Sequence, residues 1–142
     1  MQNFLDKKYA FKLYCTQKGE NAMYNIDFYR DEKGNVPVKD YMVSLKKKGS
    51  KDSLIKLKKI QEYMDVVELN GTRAGMPYVR HLDGDIWEMR PLKDRMLFFG
   101  FDGNTIVFLS HFRKMTQKTP PREIKKANKL MKDYIERSKD NG

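Results

Sequence analysis

Tyr78-Val79-Arg80-His81-Leu82-Asp83-Gly84-Asp85-Ile86-Trp87-Glu88-Met89-Arg90 opens the stretch that decides the fold. Arg95-Met96-Leu97-Phe98-Phe99-Gly100-Phe101-Asp102-Gly103-Asn104-Thr105-Ile106-Val107-Phe108-Leu109-Ser110-His111-Phe112 completes it. Apolar residues recur here with a period near two. The interruptions, Asp83-Gly84-Asp85 and Asp102-Gly103-Asn104, are turn sequences whose glycines supply the positive φ that tight hairpins need. The stretch therefore reads as four antiparallel strands, 78–82, 86–92, 95–101 and 105–112. The last is apolar on both faces, which marks it as central.

Upstream the period changes. Tyr24-Asn25-Ile26-Asp27-Phe28-Tyr29 alternates and reads as a strand. Pro37 suits a first helical turn, and Val38, Tyr41, Met42 and Leu45 share one face of a helix that Gly49 ends. Ser50 caps a second helix with apolar positions Leu54, Leu57, Ile60, Met64 and Val67, stopped by Asn70-Gly71. Downstream, Thr119-Pro120-Pro121 opens a last helix with Ile124, Ala127, Leu130, Met131, Tyr134 and Ile135 on one face. The order β-α-α-β-β-β-β-α predicts an α+β domain: a mostly antiparallel sheet of about five strands with helices packed on one face. Residues 24–138 form this single domain and residues 1–23 an N-terminal extension.

Composition narrows the function. The 142 residues suit one modest core, and no apolar run approaches the roughly 20 residues that span a bilayer. The N-terminus mixes charged with apolar residues, unlike a signal peptide, and the single cysteine, Cys15, has no partner within the chain. These point to the cytoplasm. Lys and Arg number 29 against 19 Asp and Glu, a net charge of +10. Between His111 and Lys132 eight cationic residues face one carboxylate, Glu123. A focused positive surface draws phosphate backbones; the competing use of such a run is a solvated helix face. His81 and His111 stand 30 residues apart with no Cys/His pair at ligand spacing, and no phosphate-loop or zinc-hydrolase motif occurs. The sequence implies neither metal nor cofactor.

What remains is a group of arginines and lysines with one carboxylate and one imidazole. RNA carries its own nucleophile, the 2′-OH. Cleaving it requires a base for that proton, cations on the phosphate and a proton for the departing 5′ oxygen. Arg90 and Arg95 suit the phosphate, because a guanidinium is bidentate and permanently charged. The proton falls to Lys114, if neighbouring positive charge lowers its affinity for protons, or to His111 or Glu88. Each has a structural alternative: a hydrogen-bonded histidine at a strand end, and a Glu88–Arg90 ion pair. Strand alternation sets Glu88 and Arg90 opposite Trp87 and Met89, on an exposed concave side if the helices cover the other.

These residues also carry a resemblance. Gly34-Asn35-Val36-Pro37-Val38, the hairpin from Val79 to Arg90, Arg95, and His111-Phe112-Arg113-Lys114-Met115-Thr116-Gln117-Lys118-Thr119-Pro120 followed by Glu123-Ile124-Lys125-Lys126-Ala127 resemble the phage-derived branch of the RelE/HigB toxins. The likeness runs from about Ile26 to Tyr134. Met115 stands where that family often has a second lysine, Arg113 where it is often apolar, and Asp94-Arg95 replaces its usual Tyr-Arg pair. The resemblance implies a RelE-like fold and the toxin of a type II toxin–antitoxin system: a metal-independent endoribonuclease that cuts mRNA on the translating ribosome. Carried over by motif, its catalytic groups fall on Arg90, Arg95 and Lys114. Arg113, Gln117, Lys118 and Arg122 are the expected RNA contacts. The implied partners are mRNA, the ribosome and a HigA-type antitoxin with a helix-turn-helix domain, in a hetero-oligomer. The alternative is a non-catalytic module that grips nucleic-acid phosphate with the same basic cluster.

Overall fold

A computed structural model describes residues 24–141; the extension 1–23, with Cys15, lies outside the described residues. The elements are β1 (Asn25–Phe28), α1 (Pro37–Lys48), α2 (Lys51–Asn70), a 3-10 turn (Gly71–Ala74), β2 (Val79–Asp83), β3 (Ile86–Met89), β4 (Asp94–Phe101), β5 (Thr105–Arg113) and α3 (Pro121–Asn141). The five strands form one sheet in the order β1-β5-β4-β3-β2. β1 runs parallel to β5, pairing Asn25 with Thr105, and the other three pairings are antiparallel. This is the expected α+β architecture, consistent with a RelE-like fold.

Local signals set the helix ends. Gly49 takes a left-handed φ of 65° and donates its N–H to the Leu45 carbonyl, which closes α1. Ser50 then accepts the Ser53 N–H at 3.1 Å and opens α2. So short a connection folds α1 and α2 into a hairpin. Their buried faces carry Val38, Met42 and Leu45, and Leu57, Ile60, Met64 and Val67, at the spacing of one helical stripe.

The helices do not all lie on one face, which corrects the sequence expectation. α1 and α2 cover Val79, Met89, Met96, Phe98, Ile106 and Phe108. α3 lies on the opposite side, where Ala127 and Met131 cover Ile86, Leu97, Phe99, Val107 and Leu109. The cause is in β4 and β5, whose runs Met96–Phe99 and Ile106–Leu109 are apolar at every position. A strand with two apolar faces needs cover on both, and each large side chain withdrawn from water contributes roughly 1.5–3 kcal/mol.

One irregularity sets the direction of every side chain at the end of β5. Phe98 pairs with Phe108, but Leu97 pairs with Ser110, so Leu109 is an extra residue in that strand. This β-bulge advances the alternation by one. Val107 and Leu109 face α3, and without the bulge His111 would follow them. Instead Ser110, Phe112 and Lys114 continue that face, while His111 and Arg113 turn toward α1.

Candidate functional site

At one end of the sheet two buried carboxylates lie on opposite faces. Glu88, on the α3 face of β3, is 1% exposed. Its Oε1 accepts a hydrogen bond from the Thr119 hydroxyl at 2.5 Å and lies 4.0 Å from Arg95 Nε. Its Oε2 lies 3.4 Å from Arg90 Nε and 3.5 Å from an Arg80 terminal nitrogen. Three guanidiniums thus share one carboxylate, leaving a local surplus of positive charge. The backbone dictates this gathering. Arg80 pairs directly with Glu88 across the β2–β3 hairpin, and Leu97 beside Glu88 on β4 brings Arg95 two residues away on the same face.

The arginines differ in reach. Arg95 is buried and spends one terminal nitrogen on the carbonyls of Leu92 and Asp94, both at 2.8 Å. Burial, then the like charge of Arg90, pull its guanidinium below the usual value while Glu88 pulls it back. Arg90 follows β3, is 17% exposed and also donates to the Met76 sulfur at 3.1 Å. Arg90 lies on the face expected, with Glu88, but it is largely withdrawn from water rather than exposed. Arg80 is the most exposed of the three. Lys114, half-buried, lines a small cleft with Glu88, Arg95, Phe112 and the segment Met115–Pro120. Gln117 and Lys118 belong to that exposed segment, and Arg122 is exposed in the first turn of α3.

The second carboxylate, Asp94, is 2% exposed and faces α1. Its Oδ1 accepts the Tyr41 hydroxyl at 2.8 Å and lies 3.0 Å from His111 Nε2. The Tyr41 and His111 rings stack with centroids 3.6 Å apart. Burial alone pushes the Asp94 carboxyl up, but the hydrogen bonds from His111 and Tyr41 outweigh it and hold it below the usual range. The same contact, with burial the larger cause, raises the Tyr41 phenol far above its ordinary value. Arg113 pairs with Asp94 across the β4–β5 ladder and is exposed on this side.

Of the residues expected from sequence, the structure therefore brings Glu88, Arg90, Arg95 and Lys114 together and sets His111 and Arg113 on the other face. Four participants were missed: Asp94, Thr119, Arg80 and Tyr41. Arg80 had a signal, since counting outward from Asp83-Gly84-Asp85 sets it opposite Glu88. Tyr41 had none, because its contact spans 53 residues. Among the described residues no group of three or more His, Cys, Asp or Glu is placed to hold a metal ion, and no helix is long and apolar enough to cross a membrane.

Two comparisons with known proteins bear on this arrangement. Residues 41–132 match the family described as phage derived protein Gp49-like (DUF891), a span running from Tyr41 through both carboxylate clusters into α3. No curated protein matches the chain.

Proposed function

The chain belongs to the Gp49-like phage-derived family, a toxin-like family of the RelE/HigB type, and from that premise we propose that it is the toxin of a toxin–antitoxin pair and cleaves mRNA on the ribosome without a metal. The observation that carries the reading is the cluster around Glu88. A buried carboxylate holds three guanidiniums in fixed positions, yet neutralises only one of them. Such a surface is preorganised to receive a phosphate as negative charge develops on it.

In this reading Arg90 and Arg80 hold the scissile phosphate. The 2′-OH attacks phosphorus, its proton passes to the base, and the bond to the 5′ oxygen breaks. The 5′ oxygen takes up a proton, leaving a 2′,3′-cyclic phosphate and a free 5′-OH. Lys114, beside the cluster and half-exposed, is the group we assign to proton transfer. Glu88 is not: each of its oxygens already faces cations, and Oε1 also takes the Thr119 hydroxyl. It anchors the arginines, and Arg95 acts behind it as a support.

A second reading for the base rests on one contact. Asp94 accepts from His111, and a carboxylate behind an imidazole orients it for general base work. His111 would then act across the strand end from Arg90. Lys114→Ala and His111→Asn separate the two, because only loss of the true base removes cleavage while RNA binding stays.

The net charge of +10 supports a partner of acidic surface that masks this face; the HigA-type antitoxin with its helix-turn-helix domain is the one proposed. Inducing the chain alone should stop growth and create new RNA 5′ ends within translated regions, and Arg90→Ala should reduce cleavage by about 10²–10³. Normal growth with unchanged messages, from folded protein, overturns the proposal and leaves the phosphate-gripping module in its place.

A further inference from the structure

The turn between β3 and β4 is built against its own sequence. Asp94 N–H donates to the Pro91 carbonyl at 3.0 Å, so Pro91–Asp94 is a four-residue turn. Its second residue has a positive φ of 58°, and that residue is Leu92. Glycine or asparagine normally fills such a position, because a Cβ is strained there. Among the described residues the other positive-φ residue that is not glycine, Asp102, is of the ordinary turn type. Leu92 gains no burial in return, since its side chain is 51% exposed. The strain is held from behind: Arg95, buried, donates to the Leu92 carbonyl at 2.8 Å. A strained conformation that its surroundings enforce, around an apolar side chain pushed into water, points to use rather than packing.

The surroundings say what use. Leu92 is two residues from Arg90. The next carbonyl, that of Lys93, accepts the Lys114 N–H at 2.7 Å. Met115, beside Lys114, is 86% exposed. The two exposed apolar side chains thus sit on adjoining backbone segments, Leu92 two residues beyond Arg90 and Met115 beside Lys114. An occupant of both must carry negative charge and a flat apolar group close to it, and a nucleotide has both. We propose that Leu92 and Met115 form an apolar ledge on which a base of the RNA packs, beside the phosphate held by Arg90 and close to Lys114, the group assigned to proton transfer. This rests on the reading of the cationic cluster as an RNA site, and adds the part of the substrate that would set preference among bases.

The test uses the full chain and two uncleavable probes: a short 2′-O-methyl oligoadenylate, and the same backbone without bases. Packing of one base corresponds to roughly a tenfold gain in affinity, so the parent should prefer the base-bearing probe by about that factor. Leu92→Gly should reduce the preference to about threefold or less, with unchanged affinity for the abasic probe. Its melting temperature should equal or exceed the parent's, because glycine relieves the turn. Met115→Ala should give a smaller loss of the same kind. Arg90→Ala should weaken both probes alike. Equal affinity of the parent for both probes overturns the ledge while leaving the cationic site standing, and so does a Leu92→Gly variant that keeps the preference. Failure of the parent to bind either probe, or indifference of both to Arg90→Ala, overturns the RNA reading itself and the ledge with it.

Discussion

Glu88 and Asp94 are a matched pair with opposite results. Both are carboxylates withdrawn from water at the same end of one sheet, and both are surrounded by donors. Asp94 receives a phenol and an imidazole, each at hydrogen-bond distance, and the contact fastens α1 to β4 and β5. Glu88 receives one hydroxyl at hydrogen-bond distance, while three guanidiniums stand off at 3.4–4.0 Å. The first arrangement is closed and its partners point inward. The second is over-supplied with cations, and the most exposed of them, Arg80, leans toward solvent. A buried carboxylate is a fastener when its partners are spent on it, and a mount when they are not.

That contrast breaks most readily at Glu88. Glu88→Gln should cost about 3–5 kcal/mol, since three cations lose the one charge that holds them together; a fall in the urea midpoint measures it. A cost near zero would mean that the arginines already turn to solvent. Asp94→Asn comes next, at about 1–3 kcal/mol at neutral pH. Its pH dependence has a definite sign. A carboxyl held below its usual value stabilises the fold above the unfolded pKa of about 3.9, and that contribution disappears as the pH falls through the lower folded value. The gap between parent and Asp94→Asn should therefore close below about pH 4, which thermal unfolding at neutral and acid pH will show.

Tyr41→Phe removes one donor from Asp94 and should cost about 0.5–1.5 kcal/mol. If the Asp94 cluster is only a fastener, ribosome-dependent cleavage should stay within about threefold of the parent. A much larger loss would move the chemistry to the His111 side and reverse the comparison. Lys114→Ala should have the smallest effect on stability, within about 0.5 kcal/mol, and yet remove cleavage by two orders of magnitude or more; urea denaturation and single-turnover cleavage of the same preparation provide both readings.

The elements and the face of Glu88 and Arg90 were legible in the sequence for physical reasons. Asp83-Gly84-Asp85 and Asp102-Gly103-Asn104 specify hairpins by themselves, and period-two alternation then sorts the side chains. The two-faced apolar runs of β4 and β5 call for cover on both sides of the sheet, although neither run says that α3 is the helix that crosses over. The separation of His111 from Arg90 was not legible. It depends on Leu109, one more apolar residue in an apolar run, whose status as a bulge is decided only by its pairing with β4. Nor was the burial of Arg95 legible, because a charge at a strand start is ordinarily solvated unless a partner such as Glu88 is waiting.

The parallel pairing of β1 with β5 has a kinetic consequence. Among the described residues, Asn25–Phe28 has only Thr105–Phe108 as a strand neighbour, so the chain must close a loop spanning most of the domain to finish its sheet. Contacts this distant in sequence slow folding, because the entropy of closure is spent before any contact repays it. The β2–β3 hairpin can bring Arg80 to Glu88 early in synthesis. Lys114 and Thr119 arrive only after β5, which makes the cationic cluster one of the last parts of the molecule to be assembled on a growing chain.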